Sequence, residues 1–142
     1  MPRSVRRKKR EEPNWHRIAV TGASVRVTRR TRGLDGKWHL GECYTSIDIE
    51  GTLDEPLRRM STASLLIICE ENTNLGSAIG GRLNWRSVVY LPREQFGDLM
   101  ALILADKLRS VELLLPKLHH GKGPILSMHF GTAPVEAEPD EA

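Results

Sequence analysis

Residues 86–116, RSVVYLPREQFGDLMALILADKLRSVELLLP, decide the fold class. The run 87–91 is β-branched and aromatic, and Pro92 blocks its continuation as a central strand. From Arg93 the period changes. Phe96, Leu99, Met100, Ile103 and Leu104 recur at i, i+3, i+4, i+7 and i+8, one stripe of a helix, while Glu94, Gln95, Asp98 and Asp106 take the other side. Pro92 and Glu94 suit a first turn and Lys107 a last one, so the spacing predicts a helix over 93–105. Residues 111–115 return to strand and stop at Pro116. Five large apolar side chains on one stripe require a sheet beneath them.

Outward from this unit the chain reads as strands. Ile18 and Val20 alternate with polar neighbours, as do Ala23, Val25 and Val27, and the change of parity predicts a bulge at Thr21-Gly22. Gly33-Leu34-Asp35-Gly36 is a turn signal, which makes 23–32 and 37–50 an antiparallel hairpin. Asp48 and Glu50 on its outward face are placed to neutralise arginines of neighbouring strands. Asp54-Glu55-Pro56 breaks the run, and 61–69, STASLLIIC, reads as a strand buried on both faces. Residues 70–84 are polar and glycine-rich, a long loop of the kind that is often functional. Residues 119–124, HHGKGP, have hairpin chemistry, and 125–130 form a last strand with Ile125, Ser127 and His129 on one side.

The expected fold class is therefore α+β and β-rich, an antiparallel sandwich or partly open barrel of seven to eight strands with one packed helix. A second helix of comparable periodicity is missing, which argues against a doubly wound fold. The domain spans 15–130, between a basic arm (1–14) and an acidic Pro/Ala tail (131–142), both expected to be disordered. No apolar run reaches the length of a membrane span and no apolar segment follows the basic start, so the expected location is cytoplasmic with no membrane partner.

Charge carries the functional signal. Residues 1–32 hold 11 Lys/Arg against Glu11 and Glu12, a net of +9. The remaining residues hold 10 basic and 16 acidic side chains, a net of −6, which gives the overall +3. An anionic partner should meet the N-terminal quarter, and the rest of the chain would repel it. The candidate nucleic-acid contacts are Arg6, Arg7, Lys8, Lys9 and Arg10 in the arm, with Arg26, Arg30 and Arg32 in the hairpin. The competing interpretation is a solubilising arm and a solvated strand face, and a third is that the acidic tail folds back on the arm. A partner interface would use Trp38, Trp85, Arg82 and Arg86, because Trp and Arg are enriched in hot spots. The alternative for each Trp is a buried anchor at a strand start.

Catalytic and metal patterns are sparse. His119 and His120 are adjacent and point apart in an extended segment, and no CxxC or HxxxH spacing supports zinc. Gly76, Gly80, Gly81 and Arg82 lack the GxxxxGK[ST] pattern of a phosphate loop. No GxSxG occurs, and Cys43 and Cys69 read as reduced thiols in or near the core. No cofactor is expected. The function these features favour is a non-enzymatic binding or assembly module, engaging a protein partner or its own copy, with weak nucleic-acid contact through the arm. The alternative is a small enzyme or ligand binder whose mouth is formed by 70–84 and 119–123.

Overall fold

β1 (Asn14–Leu34) and β2 (Lys37–Leu57) are each 21 residues long and pair antiparallel along almost their whole length in the computed structural model. The structure describes residues 13–57, 60–71, 74–80 and 84–133, with the side chains of 30, 34, 38–43 and 57 left out. The hairpin turns at Asp35-Gly36, both at positive φ (50° and 72°), the two-residue turn that an Asp-Gly pair favours. The parity change is a bulge. Register jumps between Val20 and Gly22, and the Thr21 hydroxyl donates to the Glu50 carbonyl (3.2 Å).

Six further strands and one helix complete the chain: β3 (Met60–Cys69), β4 (Gly76–Gly80), β5 (Asn84–Leu91), α1 (Arg93–Leu104), β6 (Ser110–Leu115), β7 (Lys122–Pro124) and β8 (Ser127–Gly131). They form one eight-stranded sheet in the order β7-β4-β5-β3-β2-β1-β6-β8. The fold is thus β-rich with a single helix, as expected, and of the two expected arrangements it is the partly open barrel, one curled sheet rather than two stacked ones. It is also mixed rather than purely antiparallel, because β3 and β5 run parallel.

The edge strands β7 and β8 are consecutive in the chain and separated only by Ile125 and Leu126. The Ile125 amide donates to Gly76 O in β4 (3.0 Å), and the next amide, Leu126, donates to Leu114 O in β6 (2.9 Å). Two neighbouring residues thereby draw the far sides of the sheet together into a half-barrel. Side-chain parity flips at this corner, against the single alternating strand expected over 125–130. Ile125 is buried, Leu126 is exposed, and Met128 and Phe130 then pack on the core while His129 faces out.

The inward residues form the core: Ile18, Ile47, Ile49, Leu65, Ile67, Trp85, Val89, Val111, Leu113 and Leu115 are all at most 2% exposed. Helix α1 closes on it through Phe96 and Leu99, with Met100, Leu102 and Ile103 partly buried. Leu104 is 75% exposed and stands outside the expected stripe, because the helix ends there. The Lys107 amide reaches back to Leu102 O and the Asp106 amide to Ile103 O, with Asp106 at φ 55°, a Schellman ending that leaves Lys107 beyond the last turn. The strands on either side of α1 are not neighbours, since β3, β2 and β1 lie between β5 and β6.

Three further expectations are corrected. The 70–84 segment contains β4, whose Gly/Ala composition gives no hydrophobic alternation although Ala78 is fully buried. β3 is buried only on its inner face: Ser64, Leu66 and Ile68 are half-buried, and Cys69 is an exposed free thiol. Asp54-Glu55-Pro56 does not end β2; the register irregularity after Thr52 gives Pro56 a place where no ladder amide is needed.

The packing of β4 generates a test. Gly76 sits at φ 125°, and a Cβ there would lie 1.9 Å from Val88 O. Gly76→Ala is expected to cost about 2–4 kcal/mol, from strain plus overpacking. Thermal or denaturant unfolding measures this, and an unchanged midpoint would overturn the close approach.

Candidate functional site

β1 is held on its second edge by β6 only over Asn14–Ala19, and β2 is held on its second edge by β3 up to Ser46. Beyond those points the hairpin pairs only with itself among the described residues. Residues 27–34 and 37–45 form a two-stranded ribbon projecting about 25 Å past the barrel. The apolar row marks where support ends: Val25 packs on the core, whereas Val27 on the same face is 72% exposed.

The ribbon collects the basic residues of the hairpin. Arg26 lies at its base, 3.5 Å from Asp48, the cross-strand neutralisation expected from the sequence. Both side chains are solvent-accessible, so the pair contributes at most about 1 kcal/mol. Asp48 Oδ2 is enclosed and has no hydrogen bond among the described residues, which leaves Arg26 as its nearest compensation. Arg29 and Arg32 are exposed further out, Arg32 opposite His39 in register, with Arg30 at the irregularity between Arg29 and Thr31. Trp38 pairs with Gly33 one step from the turn. Arg6, Arg7, Lys8, Lys9, Arg10 and Arg82 lie outside the described residues.

Trp85 and Arg86 are adjacent in β5 and face opposite ways. Trp85 is fully enclosed in the barrel, edge-on to His16 with ring centroids 5.5 Å apart, so it presents no surface to a partner. Its indole nitrogen has no hydrogen-bond partner among the described residues. Arg86 is exposed on the outer face, in the register row Gly22–Glu50–Ser64–Arg86. Two open hollows of about 540 and 360 Å³ share Asp48, Glu50, Ser64 and Arg86 in their lining. This is a solvated charged face, and of the residues named together from sequence as a partner interface Trp85 and Arg86 face opposite ways, while Arg82 and the side chain of Trp38 lie outside the described residues.

The segments 70–84 and 119–123 meet, but as a seam. β4 pairs with β7, and the Gly80 amide donates to Gly121 O (2.6 Å). His119 and Lys122 close the turn, with His120 and Gly121 at positive φ. Backbone pairing joins the described parts of the two segments, while 72–73 and 81–83 lie outside the described residues.

A second surface was not legible in the sequence. At the start of β1, Trp15 stacks on His129 of β8 (4.8 Å, 19°) across β6. Beside it Arg17 Nε donates to Glu112 Oε1 (3.2 Å). Trp15, Arg17 and Glu112, with His16, Asp54 and Glu55, line an open hollow of about 490 Å³. Only the register brings them together, from positions up to about a hundred residues apart.

Among the described residues no group of three His, Cys, Asp or Glu is arranged to hold a metal ion, and no helix is long and apolar enough to cross a membrane. No protein-family model, no curated protein and no solved structure matches the chain.

His16 is half-buried at this end of the barrel. Burial pushes its pKa below the ordinary 6.5, and the Glu55 carboxylate partly opposes the shift. Between the lowered value and 6.5 the unfolded chain binds more protons than the folded one, so stability falls as pH drops through that window. Melting temperatures measured from pH 7.5 down to pH 5 should decline less in His16→Gln than in the native protein. Equal declines would show that His16 does not carry the dependence.

Proposed function

We propose that this protein is a non-enzymatic binding module whose contact element is the projecting ribbon 27–45, and that the partner is nucleic acid. One observation carries the reading: the ribbon leaves the barrel and among the described residues pairs only with itself, with Arg29 and Arg32 exposed on it. A two-stranded ribbon alone is marginally stable in water, so extending one past the core has no benefit to the fold itself. Its width suits a groove of duplex DNA, and its arginines, with Arg30 and Lys37, supply phosphate contacts. The arm 1–12 adds charge at the other end of β1.

The test is fluorescence anisotropy of labelled 20-mer duplex and single-stranded probes titrated with protein at several salt concentrations. For the duplex, Arg29→Gln with Arg32→Gln should lower the slope of log affinity against log salt by about 1.8. Removing 1–12 should weaken binding without abolishing it. An unchanged slope in the double variant would overturn the ribbon as contact element.

A second reading is favoured by the same element. Neither ribbon edge has a further strand beside it among the described residues, and Val27 adds apolar surface, which suits strand addition by a protein partner or a second copy. Like charges on β1 oppose a β1-to-β1 pairing, so this reading favours the β2 edge. Sedimentation equilibrium at high concentration should then show a dimer that is lost when 30–42 are replaced by a short turn. A monomer throughout would remove self-association.

A further inference from the structure

β1 and β2 part at one end of the barrel. Their ladder runs down to Ile18–Leu53 and stops there. Past that point β1 stays with β6, as far as Asn14 opposite Leu115, while β2 continues beside β3, as far as Leu57 opposite Met60. Where the strands diverge lies the open hollow of about 490 Å³ lined by Trp15, His16, Arg17, Asp54, Glu55 and Glu112. Its size is that of a small-ligand site. It lies about 30 Å along β1 from the start of the ribbon at Val27, and it is independent of what the ribbon binds.

Charge in the fork is unbalanced. Arg17 is taken by Glu112 at 3.2 Å. Asp54 and Glu55 are both exposed and form no ion pair among the described residues. Burial favours the uncharged form of His16, so it does not offset them. Arg17 therefore stands against Asp54, Glu55 and Glu112, a net of −2 in the lining. Two neighbouring carboxylates repel one another, and a cation held beside both relieves that repulsion.

Trp15 supplies the other half of the site. Its ring stacks on His129 (4.8 Å, 19°) and is still 47% exposed. The stack fixes the indole without burying it, so a large π surface is set in place before any ligand arrives. An indole face attracts a cation, and a flat guanidinium stacks on it. A metal ion would lack ligands, since no group of three His, Cys, Asp or Glu converges among the described residues. A sugar could use the indole but would leave the negative charge unmet.

We infer that the fork between β1 and β2 binds an organic cation, a guanidinium or primary ammonium that rests on Trp15 and faces Asp54 and Glu55. A free amine and an Arg or Lys side chain on a peptide present the same chemistry.

The experiment follows amide shifts of the 15N-labelled full chain titrated with agmatine, with acetyl-Gly-Arg-Gly-amide, with the neutral isostere acetyl-Gly-citrulline-Gly-amide, and with methyl glucoside. A cation should shift the amides of 14–17 and 54–55 and saturate at about millimolar levels, the affinity of one stacked cation with two solvent-exposed ion pairs. Asp54→Asn/Glu55→Gln should weaken it about tenfold and Trp15→Leu about fivefold, with spectra elsewhere in the barrel unchanged. Binding by either cation sustains the site, and the tighter of the two identifies the source. No shift with either cation, or citrulline peptide or glucoside binding as tightly, would overturn the inference. So would an affinity that neither variant alters.

Discussion

Two consecutive amides, Ile125 and Leu126, hold the architecture together by bonding to opposite sides of the same sheet. Without that corner, β4 and β6 would be the edges of a six-stranded sheet, each long enough to invite pairing with other chains; with it the edges are the short strands β7 and β8. With it, the sheet turns its apolar face inward around Ile47, Ile67 and Leu113, and one short helix suffices to close the interior. The glycines at the seam follow from the same demand. Gly76 lies against Val88 and Gly80 against Gly121, because β4 must approach β5 and the turn closely for the corner to form.

Curling the sheet into a half-barrel also defines what is left over. The paired region uses only the first part of β1 and the last part of β2, so the remainder of the hairpin projects without a second layer. The buried Trp85 and the exposed Arg86 show the same division at one strand: successive side chains serve the interior and the solvent face.

Much of this was legible in the residues. The helical stripe at Phe96 and Leu99, the Asp-Gly turn, the parity change at Thr21 and the strand-rich class all follow from local periodicity and turn chemistry. What was hidden depended on strand order. β4 lacks a local signal because Ala78 is its one deeply buried side chain and its flanking glycines look like loop. The ribbon's length could not be read, since strands outside a core need not alternate, and the Trp15–His129 platform exists only through register across β6. Leu104 read as buried because it continues the stripe; the Schellman ending turns the chain away first.

The corner at Ile125-Leu126 also orders events in time. The residues that seal the sheet are among the last of the folded region to be synthesised, and each bonds a segment made earlier: Gly76 about fifty residues before, Leu114 about a dozen. A nascent chain can form the β1–β2 hairpin and the β2–β3 pair from local contacts, but it carries two raw edges until residue 131 has emerged. The Ile125–Gly76 bond is a long-range closure, the kind of contact for which loop entropy is spent before it is rewarded. During that interval the chain is most exposed to pairing with its neighbours.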